Sequence, residues 1–208
     1  MSKSKFLSKY GSPKHMDRMT TSPDEYDRLA IAQNHPDRHS KMLNDPSERV
    51  RKNISYTTTD KNHLDHMMHD ASSDVRGNVA RHGHKDHLDK LVHDKDWYVR
   101  ERVASHGYKE HADKLVSDPD PSVRYQVATH GHHHDKLVHD ESSLVRQSVA
   151  SRGNEEHRAI LAHDKDVNVR MEVAKSSEDR GTLEKLKADP HPDVARHAKR
   201  HSADLGFY

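Results

Sequence analysis

The amino-acid sequence predicts an all-α solenoid of about eight two-helix repeats, and three observations carry the prediction. An Asp, Val-Arg, Val-Ala, Gly motif returns at a spacing of about 24 residues. Apolar residues between the copies fall at helical intervals. The chain is also only 31% hydrophobic and 33% charged, with 35 basic residues against 34 acidic ones. That is too lean for one deep core and too balanced for a charge-expanded disordered chain. Stacked repeats, each burying a few apolar residues against the next, reconcile these facts.

At the N-terminus, residues 1–20 read as a half-repeat cap with a basic arm. Leu7, Gly11, Met16 and Met19 occupy the register of Val79, Gly83, Leu88 and Leu91, while Lys3, Lys5, Lys9, Lys14 and Arg18 face one acid, Asp17. Such an arm could serve nucleic acid, but a charged terminus is ordinary and the simpler reading is preferred.

Residues 21–200 form the array. The clearest copies are DASSDVRGNVARHG from Asp70, DKDWYVRERVASHG from Asp94, DPDPSVRYQVATHG from Asp118 and DESSLVRQSVASRG from Asp140. Less regular copies start at Ser22, Asp45, Asp164 and Asp189. Anchoring each on the first residue of the Val-Arg position gives Asp27, Val50, Val75, Val99, Val123, Val145, Val169 and Val194, with successive steps of 23, 25, 24, 24, 22, 24 and 25. Within a copy, Val99, Val103 and Ala104 make one helical stripe. In the intervening segment, Leu88, Leu91 and Val92 make another, so each repeat is two short helices. The opening Asp, followed by Pro at Asp45-Pro46 and Asp118-Pro119, is expected to cap the first helix with Pro at its first position. Gly83, Gly107, Gly131 and Gly153 are expected to end it at positive φ. Residues 201–208 are left as a C-terminal tail.

The 24-residue period, Leu-x-x-Leu-Val-x-Asp-Pro and Val-Arg-x-x-Val-Ala resemble the leucine-rich repeat variant family over roughly residues 5 to 200, a relative in shape of the HEAT-like solenoids. The resemblance implies alternating α and 3₁₀ helices in a right-handed superhelix. Where that family commonly has Asn-Pro after Val-Ala, this chain has His-Gly at His82-Gly83, His106-Gly107 and His130-Gly131, which implies a differently shaped turn. Some members carry a cysteine-bound iron–sulfur cluster. A chain without cysteine cannot hold one. The resemblance speaks to fold and says little about function.

Four groups of residues are candidates for function. The arginine column comprises Arg28, Arg51, Arg76, Arg100, Arg124, Arg146 and Arg170, with Ala195 in the last repeat. It could grip phosphates along a groove, but each Arg also lies within reach of an Asp of its own or a neighbouring repeat, so a stabilising Asp–Arg ladder is simpler. Two histidine columns, His82, His106, His130 and His69, His93, His139, His163, account for part of the chain's 22 histidines. Equivalent residues on adjacent repeats stand about 8 to 10 Å apart, whereas zinc needs nitrogens at about 2.0 to 2.1 Å. No metal or other cofactor is therefore assigned, either to the columns or to the surface sets His132-His133-His134 and His197 with His201. Titration of these histidines near pH 6.5 should add positive charge and strengthen binding to anions in mild acid. Finally, Trp97 and Tyr98 occupy variable positions ahead of Val99, where a partner-binding hot spot would fit.

Catalysis finds no support. There is no His-Glu dipeptide of the kind used by di-iron solenoid enzymes, no phosphate loop and no nucleophile elbow. The expectation is a non-enzymatic scaffold that binds a protein through one face, using Trp97, Tyr98, Arg76, Arg100, Arg124, Arg146, His82, His106 and His130. Nucleic acid held by Arg, Lys and His columns is the alternative, weakened by the net charge of +1. No segment is long and apolar enough to span a bilayer and the N-terminus lacks an apolar secretion segment, so no membrane partner is expected and the cytoplasm is the expected compartment.

Overall fold

The computed structural model describes residues 12–207, which are helical with no strand among them. Lys3, Lys5, Leu7, Lys9 and Gly11 of the expected cap and arm lie outside the described residues. The chain forms two compact units, Met1–Arg102 and Val103–Tyr208.

The first unit opens with α1 (Pro13–Met19), which buries Met16. Long helices α2 (Glu25–Asn34), α3 (Glu48–Thr57) and α5 (Ser73–Arg81) follow, and α7 begins at Trp97. Between them lie a 3₁₀ helix (Pro36–Lys41) and the short helices α4 (Lys61–Met67) and α6 (Lys85–Leu91). Helix α2 packs on α3 and α3 on α5, while the 3₁₀ helix packs against α2 and α3, α4 against α3 and α5, and α6 against α5. Val50, Ile54, Leu64, Met67, Val75, Val79, Leu88 and Val99 are all fully buried. Burying a side chain of this kind contributes roughly 1.5–3 kcal/mol, and no single repeat has enough of them to fold alone.

In the second unit the long helices are the end of α7 (Trp97–Ala104), then α9 (Pro121–Thr129), α11 (Ser143–Arg152), α13 (Val167–Ser176) and α15 (Pro192–Asp204). The short ones are α8 (Lys109–Leu115), α10 (His134–Leu137), α12 (Glu155–Leu161) and α14 (Arg180–Leu186). Val123, Val127, Val145, Val149, Leu161, Val169, Val173, Leu183 and Val194 repeat the same core. The described residues thus hold eight long helices, one for each anchor position read from the sequence. Helix α15 runs on through residues 201–204, which the sequence reading assigns to a tail.

Local chemistry departs from the sequence expectation in four places. First, Asp45 and Asp118 are not helix caps. The caps are Ser47 and Asp120, two residues later. The Asp45 and Asp118 carboxylates instead accept the Ser47 and Asp120 amides at 2.8 and 2.9 Å, forming an Asx turn before the helix. Accordingly Pro121 and Pro192, rather than Pro46 and Pro119, stand in the first helical turn. Second, Gly83, Gly107 and Gly131 have φ of 76°, 69° and 80°, but Gly153 is extended (φ −71°, ψ 175°). Third, the only 3₁₀ element among the described residues is Pro36–Lys41; elsewhere both helices of a repeat are α. Fourth, the 22-residue repeat takes its deletion in one place. Helix α10 shrinks to four residues and its N-cap, His133, sits at φ 55° in the left-handed region.

Candidate partner-binding faces

The repeat leaves several kinds of surface. On the edge where one long helix begins, the arginine column is closed by carboxylates. Arg28, Arg51 and Arg76 each place Nε and Nη2 on both oxygens of the Asp that opens the following repeat, Asp45, Asp70 and Asp94, at 2.7–3.1 Å. In the second unit Arg124, Arg146 and Arg170 do the same to Asp140, Asp164 and Asp189. Nη1 meanwhile donates to main-chain carbonyls of the residue's own turn, as Arg76 does to Asp70 and Ala71. Arg100 makes the matching bond to the Asp94 carbonyl at 2.8 Å. Arg76, Arg124 and Arg146 are buried, at 5–6% exposure. The bonded carboxylate of the next Asp raises the pKa of each of these guanidinium groups against the opposing effect of burial. Burial pushes the Asp94 and Asp140 carboxyls up, but the arginine and the amide two residues on outweigh it and hold them low.

Along the opposite end of the long helices, histidines tie repeats together. His82 Nε2 donates to the Ser55 carbonyl at 2.8 Å, and in the second unit His132 Nε2 donates to Gly107 at 2.9 Å. His106 stacks on Tyr108, and the His130 ring lies against Gly107, where a Cβ would meet its Nδ1 at 2.6 Å. His82, His106 and His130 are therefore turn and packing residues. A third histidine column went unread in the sequence: His39, His87, His111 and His157 are buried, and the first three are multiples of 24 residues apart, so their signal was present in the spacing. His87 and His157 reach Asp65 and Asp135 of the preceding repeat at 2.6 and 2.8 Å. Burial lowers the pKa of His39, His82 and His134, against the hydrogen bond each makes to a carbonyl. These three therefore take up charge at lower pH than a free imidazole does.

Asp65, Asp86 and His87 bring one ligand-type atom each to within 4.8 Å of one another. Lys61 Nζ lies in the same cluster, 2.6 Å from Asp86 and 3.3 Å from Asp65, so an ammonium group already bridges the two carboxylates. His132, His133 and His134 turn to three different acceptors, Gly107, Asp113 and Ala128, and do not converge.

The outward face of the long helices is different, because its side chains are not consumed by the stack. Tyr26, Tyr56 and Trp97 are 68%, 56% and 47% exposed. Tyr98 is half-buried and crosses Trp97 edge-on, with ring centroids 6.2 Å apart. It is seated over Gly77, where any Cβ would stand 2.5 Å from its ring. Three arginines lie over these rings: Arg49 over Tyr26, Arg81 over Tyr56 and Arg102 over Tyr98, at 5.5, 4.0 and 4.9 Å. On the second unit the same face opens a cleft of about 260 Å³ lined by Tyr125, Thr129, Leu144, Ser148, Arg152 and Glu172, with Leu144 exposed. Apart from Trp97 and Tyr98, sequence reading missed these positions. They lie outside the recurring motif, and only their offset in neighbouring repeats brings an Arg onto a Tyr.

This arrangement is that of an α-solenoid, and the comparison with solved structures agrees. The chain is similar to a leucine-rich repeat variant with a novel repetitive protein structural motif, at 24% identity and a TM-score of 0.76, over 91% of this chain and 81% of that one. The likeness is one of fold. Two designed armadillo repeat proteins, one in complex with the peptide (KR)4, cover 93% of this chain at 16% and 18% identity, with TM-scores of 0.29 and 0.27 that are too low to support an argument. No family model and no curated protein matches. Among the described residues no helix is long and apolar enough to cross a membrane.

Proposed function

We propose that this chain is a non-enzymatic scaffold that binds a protein partner through the outward face of its long helices. One observation carries the reading: among the described residues, three of the four exposed aromatic side chains, Tyr26, Tyr56 and Trp97, stand on long helices, and Tyr108 does not. Exposed aromatics on a rigid element are favoured as interface anchors because they bury large area at small entropic cost. Trp97 and Tyr98 are the contacts of first choice. Arg76, Arg124 and Arg146 support the face by holding the stack, and His82, His106 and His130 by setting its turns. The cytoplasm is the compartment we propose for the chain.

Nucleic acid held by the arginine column has less support, because Nε and Nη2 of Arg76, Arg124 and Arg146 are already spent on buried carboxylates. The test is affinity capture with the full chain and with a Tyr26→Ala, Tyr56→Ala, Trp97→Ala variant, followed by titration of whichever protein is retained. Loss of about 2 kcal/mol or more of binding on removing Trp97 is expected, with an unchanged circular dichroism spectrum. Equal capture by both chains would sink the proposal, as would salt-sensitive binding of DNA or RNA at neutral pH that the triple variant leaves intact.

A further inference from the structure

We propose that the outward stripe of α3 in the first unit is a binding site for an acidic segment of a protein partner. The inference rests on the long-helix reading above and names the chemistry of the occupant. Arg49, Lys52 and Tyr56 recur at three- and four-residue steps and share one face of α3. Arg81 reaches that face from α5 by lying over the Tyr56 ring at 4.0 Å, with Nη2 donating to the Tyr56 carbonyl at 2.7 Å. Arg49 lies over Tyr26 from the other side, at 5.5 Å. Along about 10 Å of α3 the stripe therefore gathers Arg49 and Lys52 with Arg81 of the next long helix. Lys52 is paired with Asp74. Among the described residues Arg49 and Arg81 have no carboxylate within ion-pair distance.

An exposed arginine ordinarily wanders or pairs with a neighbouring acid. A guanidinium laid on a tyrosine ring is held flat by the quadrupole of that ring and keeps an edge of N–H donors turned to solvent. Its ordering cost is met before any ligand arrives. Two such groups match carboxylates on an acidic peptide, each carboxylate able to take two parallel N–H bonds. A phosphodiester strand fits less well. Tyr26 and Tyr56 already carry an arginine on one face, and Glu48 and Asp74 interrupt the positive stripe with charges that a continuous phosphate backbone would have to pass.

The experiment is fluorescence anisotropy of the full chain with a dye-labelled peptide of alternating glutamate and serine, at neutral pH and low salt. A lysine–serine peptide and an oligothymidine of equal length are run beside it. Salt-sensitive binding of the acidic peptide alone is expected, weakened about tenfold in Arg49→Ala with Arg81→Ala. Arg49→Lys with Arg81→Lys keeps the charge and loses the stacked, forked donor, so it should recover only part of the affinity. No binding of the acidic peptide overturns the proposal. So does equal binding by the double alanine variant, or binding of oligothymidine as tight as that of the peptide. If the acidic peptide fails while the Trp97-dependent protein capture above succeeds, the long-helix face still binds a protein and only its acidic character is refuted.

Discussion

Removing Arg76 tests the ladder at one of its buried rungs. The side chains of Arg76 and Asp94 are 6% and 8% exposed, their two parallel bonds measure 2.7 and 2.8 Å, and Nη1 closes the carbonyls of Asp70 and Ala71 at 2.8 and 3.0 Å. Arg76→Ala leaves a nearly buried carboxylate without its cation and two carbonyls without a donor. Breaking a buried pair from one side costs about 3–5 kcal/mol. Asp94 keeps the Asp96 amide at 2.9 Å, so the lower end, about 3 kcal/mol, is expected. Removing both partners strands no charge, so the Arg76→Ala, Asp94→Ala double variant should lose much less than the sum of the singles, with a coupling of about 2 kcal/mol. Urea unfolding followed by circular dichroism gives the midpoints. Because repeat arrays can leave two-state behaviour, hydrogen exchange of the α5 and α6 amides should show the loss locally. Arg49→Ala, on the open face, is the control and should stay within about 0.5 kcal/mol of the parent. The ladder reading is refuted if Arg76→Ala behaves like that control, or if the two ladder substitutions simply add.

Three further outcomes follow from the same geometry. His35, His39, His82 and His134 have pKa values lowered below 6.5 by burial, so the unfolded chain binds their protons first. The stability they contribute is complete above pH 6.5 and is lost as pH falls from 6.5 through their folded values. Urea midpoints should drop in that window, ahead of the separate loss expected below 3.8 as Asp70, Asp94 and Asp140 protonate; a flat profile between neutral pH and the carboxylate range would contradict the lowered pKa values of these four histidines. Gly107→Ala should cost more than Gly131→Ala in thermal unfolding. Both sit at positive φ, but only Gly107 would drive a Cβ to 2.6 Å from a neighbouring ring, that of His130, so equal losses would show that the turn conformation alone matters. Asn154→Ala should cost about 1 kcal/mol, since Asn154 and His157 form a reciprocal capping box at the start of α12, and an unchanged urea midpoint would remove that assignment.

The period, the helix pairs and the core were legible because they rest on residues that must recur: Val50, Val75 and Val99 hold the same buried place in successive copies, so identity and spacing together define the element. Cap positions were not, because Asp45 and Ser47 are both good capping residues two positions apart, and which one ends in the Asx turn depends on the Arg28 bond from the preceding repeat. The ladder was readable as a pairing of types, yet its direction, from each Arg to the Asp of the following repeat, is a property of the stack. Gly153 shows the same limit. Its place in the motif equals that of Gly131, but its extended backbone puts a would-be Cβ 2.6 Å from the Val149 carbonyl. Here glycine is required by closeness and not by φ. The Tyr–Arg pairs fall outside any column, and nothing in one repeat's sequence announces the ring that the next repeat's arginine will cover.

The division of labour between residues bears on where variation can accumulate. Arg, Asp and His side chains that link repeats are fixed by partners on a second repeat: Arg51 by Asp70, His87 by Asp65, His157 by Asp135. Changing one of them injures an interface. A position such as Arg49 or Leu144 touches no such partner through a polar bond, so its substitution is cheap in stability and free to answer to binding. Tyr98 is the instructive exception. It lies on the open face, yet its ring fills the space that Gly77 leaves, so Gly77 and Tyr98 must change together. A bulkier residue at 77 would push the ring outward and reshape the surface beside Trp97 without touching the ladder. Gly77→Ala is therefore expected to alter partner affinity more than stability, the helix propensity gained by alanine, about 1 kcal/mol, offsetting the displaced ring. Titration of the captured partner against the urea midpoint of the same variant separates the two. A large loss of stability with unchanged affinity would mean that Tyr98 belongs to the core and not to the face.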